Sequence, residues 1–286
     1  MSERPSLREN LPFWGVHVVA VVGAIAVGWS WHAALWLAGG YAVRMFAITA
    51  GYHRYFSHRT FKTSRAFQLV LALFAMGSAQ QGVLWWASHH RNHHRYSDQP
   101  EDAHSPRQHG FWWSHCFWLL RGNRTTDLER VKDFARYPEL RWLDRHDLFI
   151  AVAWGTVIYF VGGATALFWG HFIAIVLAWH VTFCINSLAH VWGSRRYATG
   201  DDSRNNAVLA VFTFGEGWHN NHHHYQRSAR QGFFWWEVDV TYYVLRVLER
   251  LRIVWDVESV PDHVRDARVA PARARVAATA RRPDPA

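Results

Sequence analysis

WGVHVVAVVGAIAVGW, residues 14–29, is apolar along its whole length apart from His17. AALWLAGGYAVRMFAITAG follows at residues 33–51, and its one charged residue is Arg44. A membrane-spanning helix needs about 20 mostly apolar residues. The two stretches therefore predict a helical hairpin in a membrane, with spans at about 12–30 and 33–51.

A second apolar block lies past the middle of the chain. LFIAVAWGTVIYFVGG occupies residues 148–163, and ALFWGHFIAIVLAWHVTFCINSL occupies residues 166–188. This block predicts spans at about 148–166 and 169–190, with a turn between Gly162 and Gly170. The sequence thus predicts an all-α integral membrane protein with four transmembrane helices in two hairpins. The alternative, buried core helices of a soluble protein, fits such long apolar runs poorly.

FQLVLALFAMG, residues 67–77, is too short to span a membrane, and we interpret it as an interfacial or buried helix. All polar segments between the hairpins then lie on one side of the membrane. These segments are rich in arginine, whereas the predicted outer turns near residues 30 and 165 carry no Lys or Arg. By the positive-inside rule, both termini and the polar segments face the cytoplasm. We therefore expect a membrane domain of residues 1–262, in which residues 52–147 and 191–262 form a cytoplasmic helical cap.

The chain carries a formal net charge of +9, and part of it lies in a C-terminal tail. Residues 263–286 hold six arginines against two aspartates and lack large apolar side chains, so we expect a disordered basic tail. A basic excess suits nucleic acid, anionic lipid or a phosphorylated substrate. The apolar blocks favour membrane lipid as the partner and no nucleic acid. Residues 1–10 are polar and do not resemble a cleaved signal peptide.

Histidine is concentrated in four motifs, which lie outside or at the ends of the apolar blocks. The motif residues are His53 and His58 in HRYFSH, His90, His93 and His94 in HRNHH, Asn186 and His190 in NSLAH, and His219, His222 and His223 in GEGWHNNHH.

The spacing within these motifs is that of converging ligands. Residues three and four apart share one face of a helix, so the side chains of each HxxHH motif can meet. Neighbours such as His93 and His94 point about 100° apart and could serve two adjacent ions. His53 and His58 are five apart, which requires a helix end and a following turn to bring them together.

The residue types point to a metal centre made of imidazole. Neutral imidazole suits iron, copper, zinc and nickel. The two cysteines, Cys116 and Cys184, are isolated, which excludes a thiolate site of the CxxC kind. Nine histidines are too many for one ion and about right for two. The sequence therefore predicts a histidine-rich dimetal site, and ligand type alone leaves zinc open.

The remaining histidines are expected to play other parts. We expect packing or hydrogen-bonding roles at His17, His32, His171 and His180. We expect surface positions for His104, His109, His115, His146 and His263. His89 and His224 extend the clusters but break their spacing, so they are expected outside the ligand set.

The four motifs, in this order and with two membrane hairpins between them, resemble the membrane fatty-acid desaturases over residues 10–258. The HRxxSH form of the first motif is similar to the stearoyl-CoA or delta-9 acyl branch, in its bacterial type. The resemblance implies that the cytoplasmic cap holds two irons. It implies one iron on His53, His58, His90, His94 and His222, and the other on His93, His190, His219 and His223, with Asn186 acting through a water.

The resemblance also implies the reaction. It is oxygen-dependent removal of two hydrogens from a saturated fatty acyl chain, giving a cis double bond, with O2 as co-substrate and no catalytic side chain beyond the metal ligands. Gln80, Trp86 and Thr182 match positions that line the bend of the substrate tunnel in animal members. The CoA-contacting residues of those members are absent here, since Gln81, Ser88 and His89 stand in their places. The carrier is therefore CoA, a lipid or acyl-carrier protein.

Electrons must come from another protein, because the chain contains no CxxC motif, GxGxxG loop or haem-binding module. A ferredoxin, or a cytochrome b5 with its reductase, is the expected donor, and the bacterial cytoplasmic membrane is the expected location. Two other functions fit the same residues. A fatty-acyl hydroxylase would use the same dimetal site, and a membrane metal transporter or sensor would use the histidines as a metal acceptor. A transporter should carry more polar groups along its spans than this chain does.

Overall fold

The computed structural model describes residues 7–122 and 124–267, so most of the predicted tail, residues 268–286, lies outside the described residues. The described part is mostly helical. In chain order the α-helices are α1 Leu7–Val27, α2 Trp31–Phe46, α3 Arg65–Met76, α4 Val83–Tyr96, α5 Pro106–His109, α6 Phe111–His115, α7 Lys132–Ala135, α8 Pro138–Arg145, α9 Asp147–Thr165, α10 Ala174–Asn186, α11 Ala207–Phe212, α12 His219–His224, α13 Val240–Arg250 and α14 Asp262–Arg265.

Shorter elements complete the description. Two segments are π-helical, Ala47–Ser57 and Ala166–Ile173, and two are 3-10 helical, Phe117–Arg121 and Leu188–His190. The strands β1 Lys62–Thr63 and β2 Val254–Trp255 form one antiparallel pair, in which Lys62 lies opposite Trp255.

Three helical segments of the described residues are long and apolar enough to cross a membrane. They are Asn10–Val27, Trp31–Ser57 and Asp147–His190. Their side chains face outward to a degree unusual for a water-exposed helix: Ile25 is 76% exposed and Phe160 is 81% exposed. Exposed apolar side chains on long helices are what a hydrocarbon environment requires.

The third segment folds back on itself within its length. Gly163 has φ +66° and ψ −161°, a conformation outside the helical region that glycine adopts most readily. A Cβ atom on Gly155 would lie 3.0 Å from Nε2 of His171, although 16 residues of a straight helix would separate them by about 24 Å. The segment therefore consists of two helices packed side by side. The turn lies within the predicted range of residues 162–170.

Residues 166–186 form the central helix of the apolar region and contact α1, α2 and α9. Against α2, a Cβ on Gly40 would lie 2.1 Å from the carbonyl oxygen of Gly170. Arg44 of α2 donates to that same oxygen at 2.9 Å and to Nδ1 of His171 at 2.7 Å. Arg44 is therefore buried and hydrogen-bonded, which is how a charged residue is accommodated between apolar helices.

The helix α1 is joined to α10 by a row of histidines. His17 and His180 face each other with their Nε2 atoms 3.0 Å apart. Nδ1 of His180 lies 3.0 Å from Nε2 of His115, and Nδ1 of His115 lies 3.0 Å from Oγ of Ser187. The roles expected for His17 and His180 are confirmed. The surface position expected for His115 is wrong, because its ring is buried between α6 and α10.

The helix α3 has 12 residues and would extend about 18 Å, which is less than the thickness of a hydrocarbon core. It packs along the π-helical segment, where a Cβ on Gly51 would lie 3.3 Å from the carbonyl oxygen of Leu71. The elements α4 to α8 and α11 to α13 lie in the two stretches that the sequence predicts as a cap, although α11, AVLAVF, is apolar. The helix α14 runs from Asp262 to Arg265, so the start of the predicted disordered tail is helical and that part of the prediction is wrong.

Candidate metal centre

Nine histidines converge in two groups. One group consists of His53, His58, His90, His94 and His222, and the other consists of His93, His190, His219 and His223. Within each group one nitrogen atom of every ring lies within 4.8 Å of the corresponding atom of every other ring. These two sets are the same as the two that the resemblance implied.

The five-histidine group presents its Nε2 atoms to one another. Nε2 of His90 lies 2.8 Å from that of His58 and 3.0 Å from that of His94. Nε2 of His222 lies 2.9 Å from that of His94 and 3.0 Å from that of His53. An octahedral ion bound at about 2.1 Å, the usual metal–imidazole distance, brings neighbouring donor nitrogens to about 3.0 Å from each other. The donor set therefore fits a single metal ion.

The four-histidine group has the same arrangement with one ring fewer. Nε2 of His190 and Nε2 of His219 are 3.1 Å apart. Nε2 of His223 is buried and has no hydrogen-bond partner among the described residues. A buried polar atom normally has a partner, and a metal ion would supply one here. His93 belongs to this group, whereas its neighbour His94 belongs to the five-histidine group. Adjacent residues of an α-helix point about 100° apart, so the two side chains face different groups.

Burial keeps four of the clustered histidines neutral. It lowers the pKa of His90, His94 and His222 well below its ordinary value, and the neighbouring rings lower it further. Burial also lowers the pKa of His223, to about 4, although Asp201 opposes this. Neutral imidazole is the form that binds a metal. His90, His94, His222 and His223 are thus in the ligating protonation state at neutral pH.

Carboxylates stand behind several of these rings. Nδ1 of His93 lies 2.9 Å from Asp102, Nδ1 of His190 lies 2.9 Å from Asp98, and Nδ1 of His223 lies 2.6 Å from Asp201. Such contacts fix the ring orientation and make Nε2 the ligating nitrogen. All three serve the four-histidine group.

The charge of these carboxyl groups is maintained by their histidine partners. Burial alone would raise the pKa of Asp98, Asp102 and Asp201, but the histidine contacts outweigh it and hold each pKa far below its usual value. All three are therefore anionic at neutral pH.

The five-histidine group has one such carboxylate among the described residues, Glu216, which contacts Nδ1 of His53. Glu216 also accepts hydrogen bonds from the buried guanidinium of Arg54 at 3.0 and 3.2 Å. Gln231 donates to its other oxygen at 2.8 Å. Burial opposes ionisation of Glu216, yet the charges of His53 and Arg54 lower its pKa. HRYFSH and GEGWHNNHH are thereby joined through one ion pair.

The first motif owes its geometry to the π-helix. In Ala47–Ser57 the backbone bonds run from residue i to i+5, and N of His58 donates to the carbonyl oxygen of His53 at 3.2 Å. Residues five apart therefore share one face, and the two rings lie 4.8 Å apart between centroids. The prediction that His53 and His58 are neighbours is confirmed. The helix end and turn that were expected to bring them together are wrong, because a π-helix does so.

The other motifs are fixed by local features of their own. His90, His93 and His94 lie in α4, and His219, His222 and His223 lie in the six-residue helix α12. Gly215, before α12, has φ +125°, and a Cβ there would lie 2.4 Å from Asp239 and 3.0 Å from Arg54. A larger residue would therefore push against the ion pair behind the metal group.

The two asparagines of HNNHH, Asn220 and Asn221, anchor α12 to the loop that contains GDDSRNN, residues 200–206. Oδ1 of Asn220 accepts from the backbone N–H groups of Arg196 and Tyr197, both at 2.8 Å. Oδ1 of Asn221 accepts from Asn205 at 2.7 Å. This loop also supplies Asp201, so the same contacts that position α12 bring the carboxylate to His223.

The remaining predicted residues meet in one cavity of about 630 Å³, within the usual range of about 300–1,000 Å³ for small-molecule sites. Gln80, Trp86 and Thr182 all line it, together with His90 and Asn186. Nε1 of Trp86 donates to Gln80 at 3.2 Å, and Nε2 of Gln80 donates to Oγ1 of Thr182 at 3.4 Å. The cavity therefore borders both His90 of the five-histidine group and the three residues that are expected to contact the substrate.

Asn186 faces this cavity and is in neither histidine group; its carbonyl oxygen accepts from Ser114 at 2.8 Å. His89 and His224 also lie outside both groups. His89 stacks on Trp85 at 4.1 Å, and His224 stacks on Tyr197 at 4.0 Å.

Sequence reasoning missed several residues of the site. His104, expected on the surface, is buried with its ring 4.5 Å from that of His93, so that expectation is wrong. The carboxylates Asp98, Asp102 and Asp201 were not singled out. Glu216 could have been found from its place inside GEGWHNNHH, three residues before His219. The aspartates lie in irregular loops, where spacing carries no comparable signal.

Comparison with known proteins gives a consistent result. Residues 29–246 match the family model described as fatty acid desaturase. The chain is 38% identical to an sn-1 stearoyl-lipid 9-desaturase of Anabaena variabilis, over 90% of this chain and 96% of the relative. It is 35% identical to an sn-2 palmitoyl-lipid 9-desaturase of Nostoc sp. (strain 36), over 90% and 92%. It is 36% identical to an acyl-CoA 5-desaturase of Anemone leveillei, over 87% and 78%.

The family match covers the apolar stretch at residues 33–51, the whole second apolar block and all four histidine motifs, whose rings meet in two groups. The chain belongs to the fatty acid desaturase family and is an oxidoreductase that introduces double bonds into fatty acyl chains.

Proposed function

We propose that the two histidine groups hold two irons and that the enzyme desaturates a saturated acyl chain at the delta-9 position. The observation that carries the proposal is the pair of convergent histidine sets, of which the five-histidine group borders the cavity through His90. His53, His58, His90, His94 and His222 would hold one iron, and His93, His190, His219 and His223 would hold the other. Asn186, which faces the cavity, would reach the second iron through a water.

The irons, when bound, supply the activation of O2 and the removal of hydrogen from an unactivated methylene group, which acid–base side chains cannot perform. One acyl chain loses two hydrogens, and O2 takes up these two hydrogens together with two electrons from the donor and two protons, which gives two waters. The protein holds the chain in place and keeps bulk water away. Position 9 is chosen by geometry, since adjacent methylene groups are chemically alike.

The residues Gln80, Trp86 and Thr182 are proposed to set that geometry. The ring of Trp86 stacks on that of His90 at 4.9 Å and on that of Tyr52 at 5.3 Å. Its hydrogen bond to Gln80 fixes the orientation of both side chains. A chain passing these side chains is directed toward the five-histidine group and Asn186. The names of two relatives that act at position 9 support the assignment.

The proposed topology is four spans with a cytoplasmic cap. Its support is the fold-back at Gly163, which divides the longest apolar segment in two, and the arginine-rich polar stretches. Residues 1–262 would form this membrane domain, in the cytoplasmic membrane of a bacterium. A ferredoxin, or a cytochrome b5 with its reductase, would supply the electrons at the cap.

The test is the fatty-acid profile of a host that lacks its own desaturase and expresses the chain with a competent electron donor. We expect new monounsaturated acids with the double bond at carbon 9, located by derivatisation and mass spectrometry. His93→Ala should give none, whereas His109→Ala, a change at an exposed cap histidine, should match the wild type. Hydroxy acids would make the enzyme a hydroxylase. An unchanged profile from iron-loaded protein would contradict the proposal.

A further inference from the structure

One short helix of the cap has an apolar outer face. The helix α11, Ala207–Phe212, has the sequence AVLAVF and buries Leu209 and Ala210. Its other four residues are exposed and all are apolar: Ala207, Val208, Val211 and Phe212. A helix at a water-facing surface carries polar residues on its outer side. The outer face of α11 therefore suits an apolar partner and not water.

Contacts with the spanning helix α2 fix the height of α11. The hydroxyl of Tyr41 donates to the carbonyl oxygen of Phe212 at 2.6 Å, and the ring of Tyr41 lies 6.3 Å from that of Phe214. Trp29 and Trp31 are exposed at the turn before α2, as aromatic residues are at a membrane boundary. Tyr41 follows Trp31 by ten residues, or about 15 Å of helix, whereas the hydrocarbon core is about 30 Å thick. The end of α11 is thus bonded to a residue inside the hydrocarbon core.

The backbone of α11 is suited to such a place, because its last four carbonyl oxygens all have hydrogen-bond partners. Those of Leu209, Ala210 and Val211 accept from the backbone N–H groups of Thr213, Gly215 and Phe214, and that of Phe212 accepts from Tyr41. The last carbonyl groups of a helix are commonly left to water. In hydrocarbon each must be satisfied within the protein. The hydroxyl of Tyr41 meets this requirement at the end of α11.

An exposed indole ring lies at the start of the same helix. Trp192 is 54% exposed, and its carbonyl oxygen accepts from the side chain of Asn206, the N-cap of α11, at 3.4 Å. Tryptophan is enriched where the hydrocarbon meets the lipid headgroups. The helix therefore runs from an interfacial residue at its start to Tyr41 of the spanning helix at its end.

The position of α11 bears on the metal centre, because the GEGWHNNHH motif is bonded to it. N of Asn206 donates to the carbonyl oxygen of Gly217 at 2.8 Å, and N of Gly217 donates to Oγ1 of Thr213 at 3.0 Å. A Cβ atom on Gly217 would lie 2.1 Å from the backbone N of Ala210, so the motif lies directly against the helix. Glu216, whose carboxylate stands behind the five-histidine group, is the next residue. A shift of α11 would therefore move the motif with it.

We propose that α11 is inserted in the membrane leaflet on the side of the cap, and that this insertion holds the GEGWHNNHH motif at a fixed height above the bilayer. Val208, Val211 and Phe212 contact the lipid acyl chains. A second copy of the chain is the other apolar partner that would cover the same face, and the experiment separates the two. The proposal concerns the anchoring of the cap and does not depend on the acyl position or the carrier.

The test uses a nitrobenzoxadiazole fluorophore on single cysteines of the full-length protein in lipid nanodiscs. The free cysteines are first replaced by Cys116→Ala and Cys184→Ala. The label is attached at Val211→Cys, or at Val208→Cys should the first variant fail to retain its iron. Two quenchers are compared, phosphatidylcholine with a nitroxide on its acyl chain and iodide in the water.

Leu128→Cys is the matched control, because Leu128 is also an exposed apolar residue of the cap, at 42%, but stands between Asp127 and Glu129. We expect the nitroxide lipid to quench the label at position 211 at least about threefold more than the label at position 128, and iodide to do the reverse. Equal quenching of the two labels by iodide would overturn the proposal, since the face would then lie in water. Protection of position 211 from both quenchers would also overturn it, and a cross-linked dimer would then identify a second copy as the cover.

The link to the metal centre is tested by placing a charge on the inserted face. Val211→Asp, in protein whose helix content by circular dichroism is unchanged, should bind at least about twofold less iron per chain than Leu128→Asp, because a carboxylate is costly in hydrocarbon. Val211→Leu keeps the face apolar and should bind as much iron as the wild type. Equal iron content in Val211→Asp and Leu128→Asp would overturn the link between the helix and the ligands.

Discussion

The five-histidine group and the four-histidine group differ in what lies behind their rings. Among the described residues, the five-histidine group has one carboxylate, Glu216, which it shares with Arg54. The four-histidine group has three, at His93, His190 and His223. A carboxylate on the outer nitrogen makes an imidazole a better donor. The smaller group thus compensates for its missing ring by electrostatics.

This difference assigns unlike roles to the two sites. Three anionic carboxylates favour a higher positive charge on the ion at the four-histidine group. The five-histidine group relies on ligand number instead. We expect the two irons to differ in affinity and in ease of oxidation.

Removal of a ligand should give the largest effect and should be specific to one site. His93→Ala should lower iron content from two ions to one per chain and lower turnover by more than about 100-fold, because a ligand contributes more than its outer partner does. His94→Ala should remove the other iron. Iron analysis of purified protein with a product assay measures both. Two irons and normal turnover in His93→Ala would contradict the ligand assignment.

Removal of one carboxylate should weaken only the four-histidine group. Asp201→Asn takes the negative charge from behind His223 and should lower the affinity of that iron by about 10–100-fold. Chelator titration, which follows the loss of each iron in turn, measures this.

Asp202→Asn is the matched control, since Asp202 is adjacent but pairs with Arg107 at the surface. Its iron affinity should equal that of the wild type. Equal loss in the two variants would show that the loop, and not the charge behind His223, determines affinity.

Acid should affect His58 and His93 of the metal-free protein in opposite ways. The pKa of His58 is lowered by burial and by the neighbouring His53, so the unfolded chain binds more protons than the folded chain as pH falls below about 6.5, and stability is lost. Burial lowers the pKa of His93, but Asp102 outweighs it and leaves that pKa raised. His93 therefore adds stability at low pH, which fades as pH rises through its folded pKa.

His58→Gln should make the loss of stability between pH 7 and pH 5 shallower, and His93→Gln should make it steeper. Each change is at most about 1.4 kcal/mol per pH unit. Thermal unfolding of metal-free protein in detergent, followed by circular dichroism, measures the slopes. Identical slopes in both variants would show that the two groups share one electrostatic environment.

The smallest effect is expected at Thr182 in the wall of the cavity. Thr182→Val removes the acceptor of the 3.4 Å hydrogen bond from Gln80 and keeps the side-chain volume. The loss of one such bond, about 1 kcal/mol, should shift the ratio of double-bond positions by about fivefold or less and leave both irons bound. Gas chromatography with mass spectrometry measures the ratio. Loss of iron would place Thr182 in the support of the metal sites.

The sequence predicted those parts of the fold that depend only on the length and apolarity of a segment. Run length and apolarity define the spanning helices, and a turn between Gly162 and Gly170 was expected in the second block. Its place at Gly163 depends on the packing of Gly155 against His171, two residues far apart in sequence. The π-helix at His53 was also beyond reach, because hydrogen-bond register leaves no composition signal.

The nine histidines were predictable because motif spacing and helix geometry determine where their rings point. Their partners were less so. His115 is buried where α6 packs on α10, and His104 is buried in an irregular loop, although histidine is often found on protein surfaces. The carboxylates behind the four-histidine group come from loops at residues 98–102 and 201 that meet only in the folded chain. The asymmetry of the two sites is therefore a property of the tertiary structure.

The most direct test of two unlike metal sites is Mössbauer spectroscopy of reduced protein loaded with 57Fe, together with iron analysis. We predict two irons per chain and two quadrupole doublets of equal area with different parameters. In Asp201→Asn one doublet should change while the other keeps its parameters. A single doublet, or one iron per chain in fully loaded wild-type protein, would contradict the account.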